Sequence, residues 1–174
     1  GGSIGSELCR QILRFKPIKI ILLEQNEPSL YNIYEELKAI NLNNKIDIIP
    51  LLGNACDHKL LFRVFEENKI DIIFHAAAHK HVPMVEINPI EGLKNNILST
   101  LRLAEVALKF NIEKFTLISS DKAVRPTSIM GASKRVSELI IERFSSLNKN
   151  SNKNLLKNKT VFTTVRFGNV LNSS

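Results

Sequence analysis

Five short runs rich in Ile, Val, Phe and Thr, each parted from the next by a longer stretch of helical periodicity, constrain this chain more than any other feature. The runs at 18–23, 46–51, 70–74, 115–119 and 161–167 predict strands. Several are apolar nearly throughout, the pattern of parallel strands covered on both faces. Helices are predicted at 5–15, 30–40, 59–68, 88–110 and 128–147. The fourth has the clearest start, with Asn88 as cap, Pro89 in the first helical position and Glu91 at the positive end of the dipole. Strand–helix alternation with short links implies right-handed crossovers. The expected fold class is therefore α/β, a doubly wound parallel sheet in one domain over 1–174. The chain opens inside a glycine loop with no strand before it and closes at 172–174 just after a strand. A fragment is expected, with the first strand and a C-terminal region lying outside it.

Composition narrows the functional classes. At 44% hydrophobic and 24% charged, the chain belongs with folded soluble proteins. It has no apolar run of membrane-spanning length and no signal peptide at its start. Two cysteines, Cys9 and Cys56, cannot build a disulfide framework, which points to a reducing, cytoplasmic setting. The net charge of +7 invites a nucleic-acid reading. Much of it lies in an Asn/Ser/Lys-rich stretch, where Arg143, Lys149, Lys153, Lys157 and Lys159 occur without an intervening acid. No aromatics interleave there as a single-strand groove would require, so no nucleic-acid partner is expected.

Gly1-Gly2-Ser3-Ile4-Gly5, followed by a helical pattern, has the form of the latter part of a dinucleotide-binding turn. Glycines let backbone approach a pyrophosphate, which then sits on the free N–H groups of the helix start. Glu24, at the end of the next strand, is placed to accept bonds from the adenosine ribose hydroxyls. No basic residue follows in Gln25-Asn26-Glu27 to meet a 2′-phosphate, so NAD is expected over NADP. Asn54 and Ala55 lie in the loop that would pass the adenine edge, and Asp57 reads as the cap of the next helix.

The segments His75-Ala76-Ala77-Ala78-His79-Lys80-His81-Val82-Pro83 and Ser119-Ser120-Asp121-Lys122-Ala123-Val124 each follow a predicted strand, where ligands bind in open α/β sheets. Three alanines leave room for a cofactor near the backbone, and a serine, an acid and an amine in succession gather proton donors and acceptors. His75, His79 and His81 lack helical ligand spacing and have no nearby cysteine, so no metal site is expected. His75 is read as packing, with His79–His81 facing a ligand. In Met130-Gly131-Ala132-Ser133-Lys134, taken alone, Met130 would be core and Lys134 surface.

Taken together, the stretches 1–8, 75–89, 119–135 (SSDKAVRPTSIMGASKR) and 165–174 (VRFGNVLNSS) are long, ordered and correctly spaced. The chain resembles the polysaccharide-biosynthesis nucleotide-sugar 4,6-dehydratases of the extended short-chain dehydrogenase/reductase class, which include UDP-N-acetylglucosamine 4,6-dehydratases. The resemblance implies a Rossmann-like fold and tightly held NAD(P), recycled rather than consumed. It further implies a UDP-sugar converted to a 4-keto-6-deoxy product. Ser120 matches the hydroxyl of the catalytic set, Asp121 and Lys122 the acid and base at C6 and C5, and Lys134 the lysine at the nicotinamide ribose. Cofactor contacts would fall to Gly1, Gly2, Ser3, Ile4, Gly5, Glu24, Asn54, Ala55, His75, Ala76, Ala77 and Asn96 with Lys134. Substrate contacts would fall to Lys80, His81 and Asn169. A homo-oligomer is implied for the full-length protein, as is a cytoplasmic location at the inner membrane face where an N-terminal membrane region precedes the domain.

Proton chemistry sets requirements for this assignment. The C5 base needs a pKa near neutrality, which burial of Lys122 beside Lys134 would provide, and the C6 acid needs Asp121 raised by its cleft. The sequence departs from the usual Tyr-x-x-x-Lys, with Met130 in the tyrosine's place, and this resembles the C5-retaining branch. Ser99 replaces a customary glycine and Asn54 a customary aspartate. A nucleotide-sugar epimerase or reductase on the same scaffold is disfavoured by Met130, because those chemistries lean on the tyrosine. A silent dinucleotide-binding protein is disfavoured because it needs none of Ser120, Asp121, Lys122 and Lys134.

Overall fold

The computed structural model describes residues 1–41, 45–150 and 160–170, with the side chains of 148–150 outside the description. The architecture is α/β with parallel sheets, as the alternation predicted. The chain divides into two compact units, Gly1–Asn54 and Ala55–Val170.

The first unit runs α1 (Ser3–Arg14), β1 (Lys19–Glu24), α2 (Glu27–Ile40) and β2 (Asp47–Leu52). β1 and β2 pair in parallel, from Lys19 opposite Asp47 to Glu24 opposite Leu52. α1 stops because Lys16 takes a left-handed conformation with φ 53° and Pro17 follows it. α2 starts on Asn26, whose side chain accepts from the Ser29 N–H, with a proline in its first turn. Leu13 from α1, Ile20 and Leu22 from β1, and Leu30, Ile33 and Leu37 from α2 form the core with Ile46. Side chains of this size contribute roughly 1.5–3 kcal/mol each on burial.

The second unit begins with α3 (His58–Glu67), capped by Asp57, whose carboxylate accepts from the Lys59 and Leu60 N–H groups as expected. Its sheet has the parallel order β3 (Ile72–His75), β4 (Lys114–Ser120), β5 (Val161–Phe167). Phe115 and Leu117 on β4 are fully buried. Their neighbours are α6 (Ser99–Lys109) and the long α7 (Ile129–Asn150). Several alternate apolar residues of β3 and β5, among them Phe74, Val161 and Val165, are exposed, unlike the two-face burial expected of such strands.

The single helix expected over 88–110 is instead three pieces. After α4 (Val82–Ile87) come α5 (Pro89–Leu93), a π-helical stretch Lys94–Leu98 and α6. Asn88 does not cap by its side chain; its amide donates back to the Met84 carbonyl at 3.0 Å. The wide turn of the π-stretch buries Asn95 and Asn96 together, and insertions of this kind recur at functional sites. Apolar spacing alone does not register a π-turn, because the pattern on either side remains helical.

Candidate functional site

β4 ends at Ser120, and the chain then makes a tight 3-10 turn, Asp121–Ala123. The Ser120 hydroxyl donates to Asp121 Oδ1 at 2.9 Å. The same oxygen receives the Lys122 backbone N–H at 2.9 Å and Lys122 Nζ at 3.3 Å. Lys122 Nζ also donates to Asn169 Oδ1 at 3.3 Å, bringing the turn after β4 and the turn after β5 together. Two requirements read from the sequence are corrected by this geometry. The bond from Ser120, followed by those from Lys122, lowers the Asp121 pKa rather than raising it. Lys122 is exposed beside the carboxylate rather than buried beside Lys134.

Lys134 has the environment expected of a tuned amine. It is 6% exposed, and Nζ donates to the Ile118 carbonyl at 2.6 Å. Burial lowers its pKa to about 8, against a raising influence from Glu138. Met130 is buried. The start of α7 is fixed by Glu86, which accepts the Ile129 N–H at 2.7 Å, and by Ser128, which accepts the Gly131 N–H. Gly131 permits a close approach: a Cβ there would lie 2.4 Å from the Lys122 carbonyl oxygen.

Beneath these groups runs a buried polar network. Asn96 accepts from the His79 N–H at 2.7 Å and donates both to the His79 carbonyl at 3.1 Å and to Ser133 Oγ at 2.9 Å. It thereby clamps the alanine-rich loop to the residue preceding Lys134. His75 is buried against Thr100 and Ser99, at 3.0 and 3.3 Å. Burial, with the Lys134 charge, takes its pKa down to about 3, so it is neutral. Ala76 is partly exposed, and Ala77, Lys80 and His81 are exposed.

In the first unit, α1 begins without a side-chain cap and without an acid in its first turn, leaving its opening N–H groups for an anion. Glu24 accepts from the Asn26 N–H at 2.9 Å. Asn54 donates to Gln25 at 2.8 Å, joining the turns that follow β1 and β2, and Ala55 opens the second unit. These features fit the pyrophosphate and ribose of a dinucleotide. Among the described residues no group of three potential metal ligands is gathered, and no helix is long and apolar enough to cross a membrane.

The sequence reading missed Glu138. It is 2% exposed on α7 and receives Arg166 Nε and Nη2 at 2.8 and 2.7 Å, with Arg135 at 2.9 Å. Its spacing, one helical turn beyond Lys134, was the available signal. Burial alone would raise its pKa; the Arg166 fork, with Arg135, reverses this and takes it down to about 2. A depressed carboxyl contributes stability above its unfolded pKa and loses it as pH falls through the folded one. Here that window runs from about 4.5 down to about 2. The expected contribution is about 2 kcal/mol, discounted for the partly exposed arginines. In thermal melts, the gap between wild type and Glu138→Gln should close over that window. A constant gap would contradict the assignment.

The model of the family described as polysaccharide biosynthesis protein matches residues 1–174. The chain belongs to that family. It is 46% identical over 173 residues to the capsular polysaccharide biosynthesis protein CapD of Staphylococcus aureus, covering 99% of this chain and 27% of that protein. It is 31% identical over 173 residues to a UDP-N-acetylglucosamine 4,6-dehydratase (inverting) of Campylobacter jejuni, covering 99% of this chain and 47% of the relative. The solved structure of Pen from Bacillus thuringiensis superposes with a TM-score of 0.85 at 31% identity, over 99% of this chain and 50% of that one. The chain thus spans about half the length, or less, of these relatives.

Proposed function

We propose that this chain is the dinucleotide-binding portion of a nucleotide-sugar 4,6-dehydratase acting in surface polysaccharide synthesis, with UDP-N-acetylglucosamine as substrate. The observation that carries this reading is the cluster of Ser120, Asp121, Lys122 and Asn169 at the end of the second unit's sheet, together with a buried Lys134 and a buried Met130. When bound, NAD supplies the acceptor for hydride from C4 and its return at C6. In the first unit, the α1 start and Glu24 are groups suited to a pyrophosphate and an adenosine ribose; in the second unit, taken by itself, Lys134 is suited to a nicotinamide ribose. Asn96 and His75 support the alanine-rich loop from below. The Ser120–Asp121 bond offers a path for the C4 hydroxyl proton that needs no tyrosine. Lys122 is the base proposed for the C5 proton, and Asp121, reprotonated during the cycle, the acid that releases the C6 hydroxyl as water. Lys80 and His81, exposed beyond the alanine loop, are proposed to meet the nucleotide sugar.

The decisive assay gives UDP-N-acetylglucosamine to the full-length protein and follows its mass and its C5 configuration. Loss of one water with C5 retained supports the reading. An isomer of unchanged mass would assign a 4-epimerase, and no turnover with cofactor binding intact would assign a binding protein. Cofactor preference follows from Glu24, whose carboxylate would repel a 2′-phosphate. In calorimetric titrations of the full-length protein NAD should bind at least tenfold tighter than NADP, a difference of about 1.4 kcal/mol. Equal affinities would refute that preference.

A further inference from the structure

The buried carboxylate of Glu138 is tied by its bonds to β5, which carries on to Asn169, and lies one helical turn from Lys134. The β4–β5 register sets Arg166 opposite Ser119 and Phe167 opposite Ser120. The two-pronged bond from Arg166 to Glu138 therefore fixes the end of β5 on α7 beside the catalytic turn. Three residues later Asn169 receives Lys122. In the other direction, Lys134 lies one turn before Glu138 on the same helix and bonds to Ile118, the residue before Ser119. A paired buried charge is weak evidence for stability, since apolar replacements of similar volume often serve as well. Its connections, through Arg166 to β5 and along α7 to Lys134, give it another use.

We propose that Glu138 is a positioning residue: its grip on Arg166 sets where β5 presents Asn169 to Lys122, and its charge holds Lys134 as an ammonium. This rests on the reading of Lys122 and Lys134 as working groups of the site. The groups facing Glu138 are Arg135 and Lys134 on α7, Arg166 on β5 and Ser119 on β4, with Glu142 sharing Arg135. Those facing Lys134 are neutral His75 on β3, the Ile118 carbonyl on β4 and Glu138. Glu138 is thus the acid available to Lys134 among them.

The test uses the full-length protein with its cofactor and isotope-labelled lysine, the Lys134 signal being assigned through Lys134→Arg. Glu138→Gln should move the Lys134 titration midpoint down by about one pH unit. Arg166→Lys keeps a positive partner but loses the planar fork. It should leave that midpoint in place and slow single turnover about tenfold, with KM little changed. Asn169→Ala should slow turnover similarly, and combining it with Arg166→Lys should add little, because both act through one route. An unmoved Lys134 midpoint in folded Glu138→Gln overturns the proposal, as do losses that multiply in the double variant. Should Glu138→Gln fail to fold, the Arg166→Lys and Asn169→Ala pair still decides. The titration needs no turnover, so a shifted midpoint in a protein that makes no dehydrated product sinks the dehydratase reading alone.

Discussion

Full-length protein carrying Lys122→Met should form no 4-keto-6-deoxy product, losing roughly 10²- to 10⁴-fold in rate, the range for removing a positioned proton-transfer group. The fold should be untouched, because the Lys122 ammonium is exposed and its bonds to Asp121 and Asn169 are surface contacts worth little to stability. Single-turnover absorbance of the reduced nicotinamide divides the chemistry further. A trace that never rises makes Lys122 the group that starts oxidation at C4. A trace that rises and stalls confines Lys122 to C5 and leaves the Ser120–Asp121 pair as the C4 route. The 2.9 Å bond between those two, which the sequence could not specify, favours the stall. Product formed at the wild-type rate would remove Lys122 from the mechanism.

The second large effect is expected at Gly131. Placing alanine in a helix normally gains up to about 1 kcal/mol over glycine. Here the added carbon would meet the Lys122 carbonyl oxygen at 2.4 Å, with Pro126 and Ser128 side-chain atoms at 3.2 Å. The first of these is backbone and cannot rotate away, so overpacking of about 1–3 kcal/mol should exceed the propensity gain. Gly131→Ala should therefore melt several degrees lower. It should also lose activity by about 10²-fold, the cost of displacing a working group by about an ångström. A variant as stable and active as wild type would show that the turn carrying Lys122 can yield without consequence.

Much of this was legible in the sequence for local reasons. The strands emerged within a residue or two because runs such as Lys19–Glu24 and Val161–Phe167 carry their own period and β-branched content. Asp57 was legible as a cap because capping chemistry spans only three residues. The motifs gave the candidate residues, and the structure gathers Ser120, Asp121, Lys122 and Asn169 at one place although Asn169 lies 47 residues from Lys122. What failed was whatever depended on surroundings. The acid role asked that its cleft raise the Asp121 pKa, yet the bonds from Ser120 and Lys122 lower it. The 88–110 helix was expected to be continuous, yet it bends through a π-stretch to bury two asparagines.

The sequence alone determined the α/β alternation, the family and the residue types at the site, because these follow from short-range periodicity and contiguous motifs. Tertiary structure alone decided the charge state of those residues. Lys134 sits near a pKa of 8 and His75 is neutral because packing removed their water. Glu138 is held ionised because an arginine from a strand 28 residues away closes on it. Desolvation and ion pairing depend on distances between elements, which chain spacing does not fix.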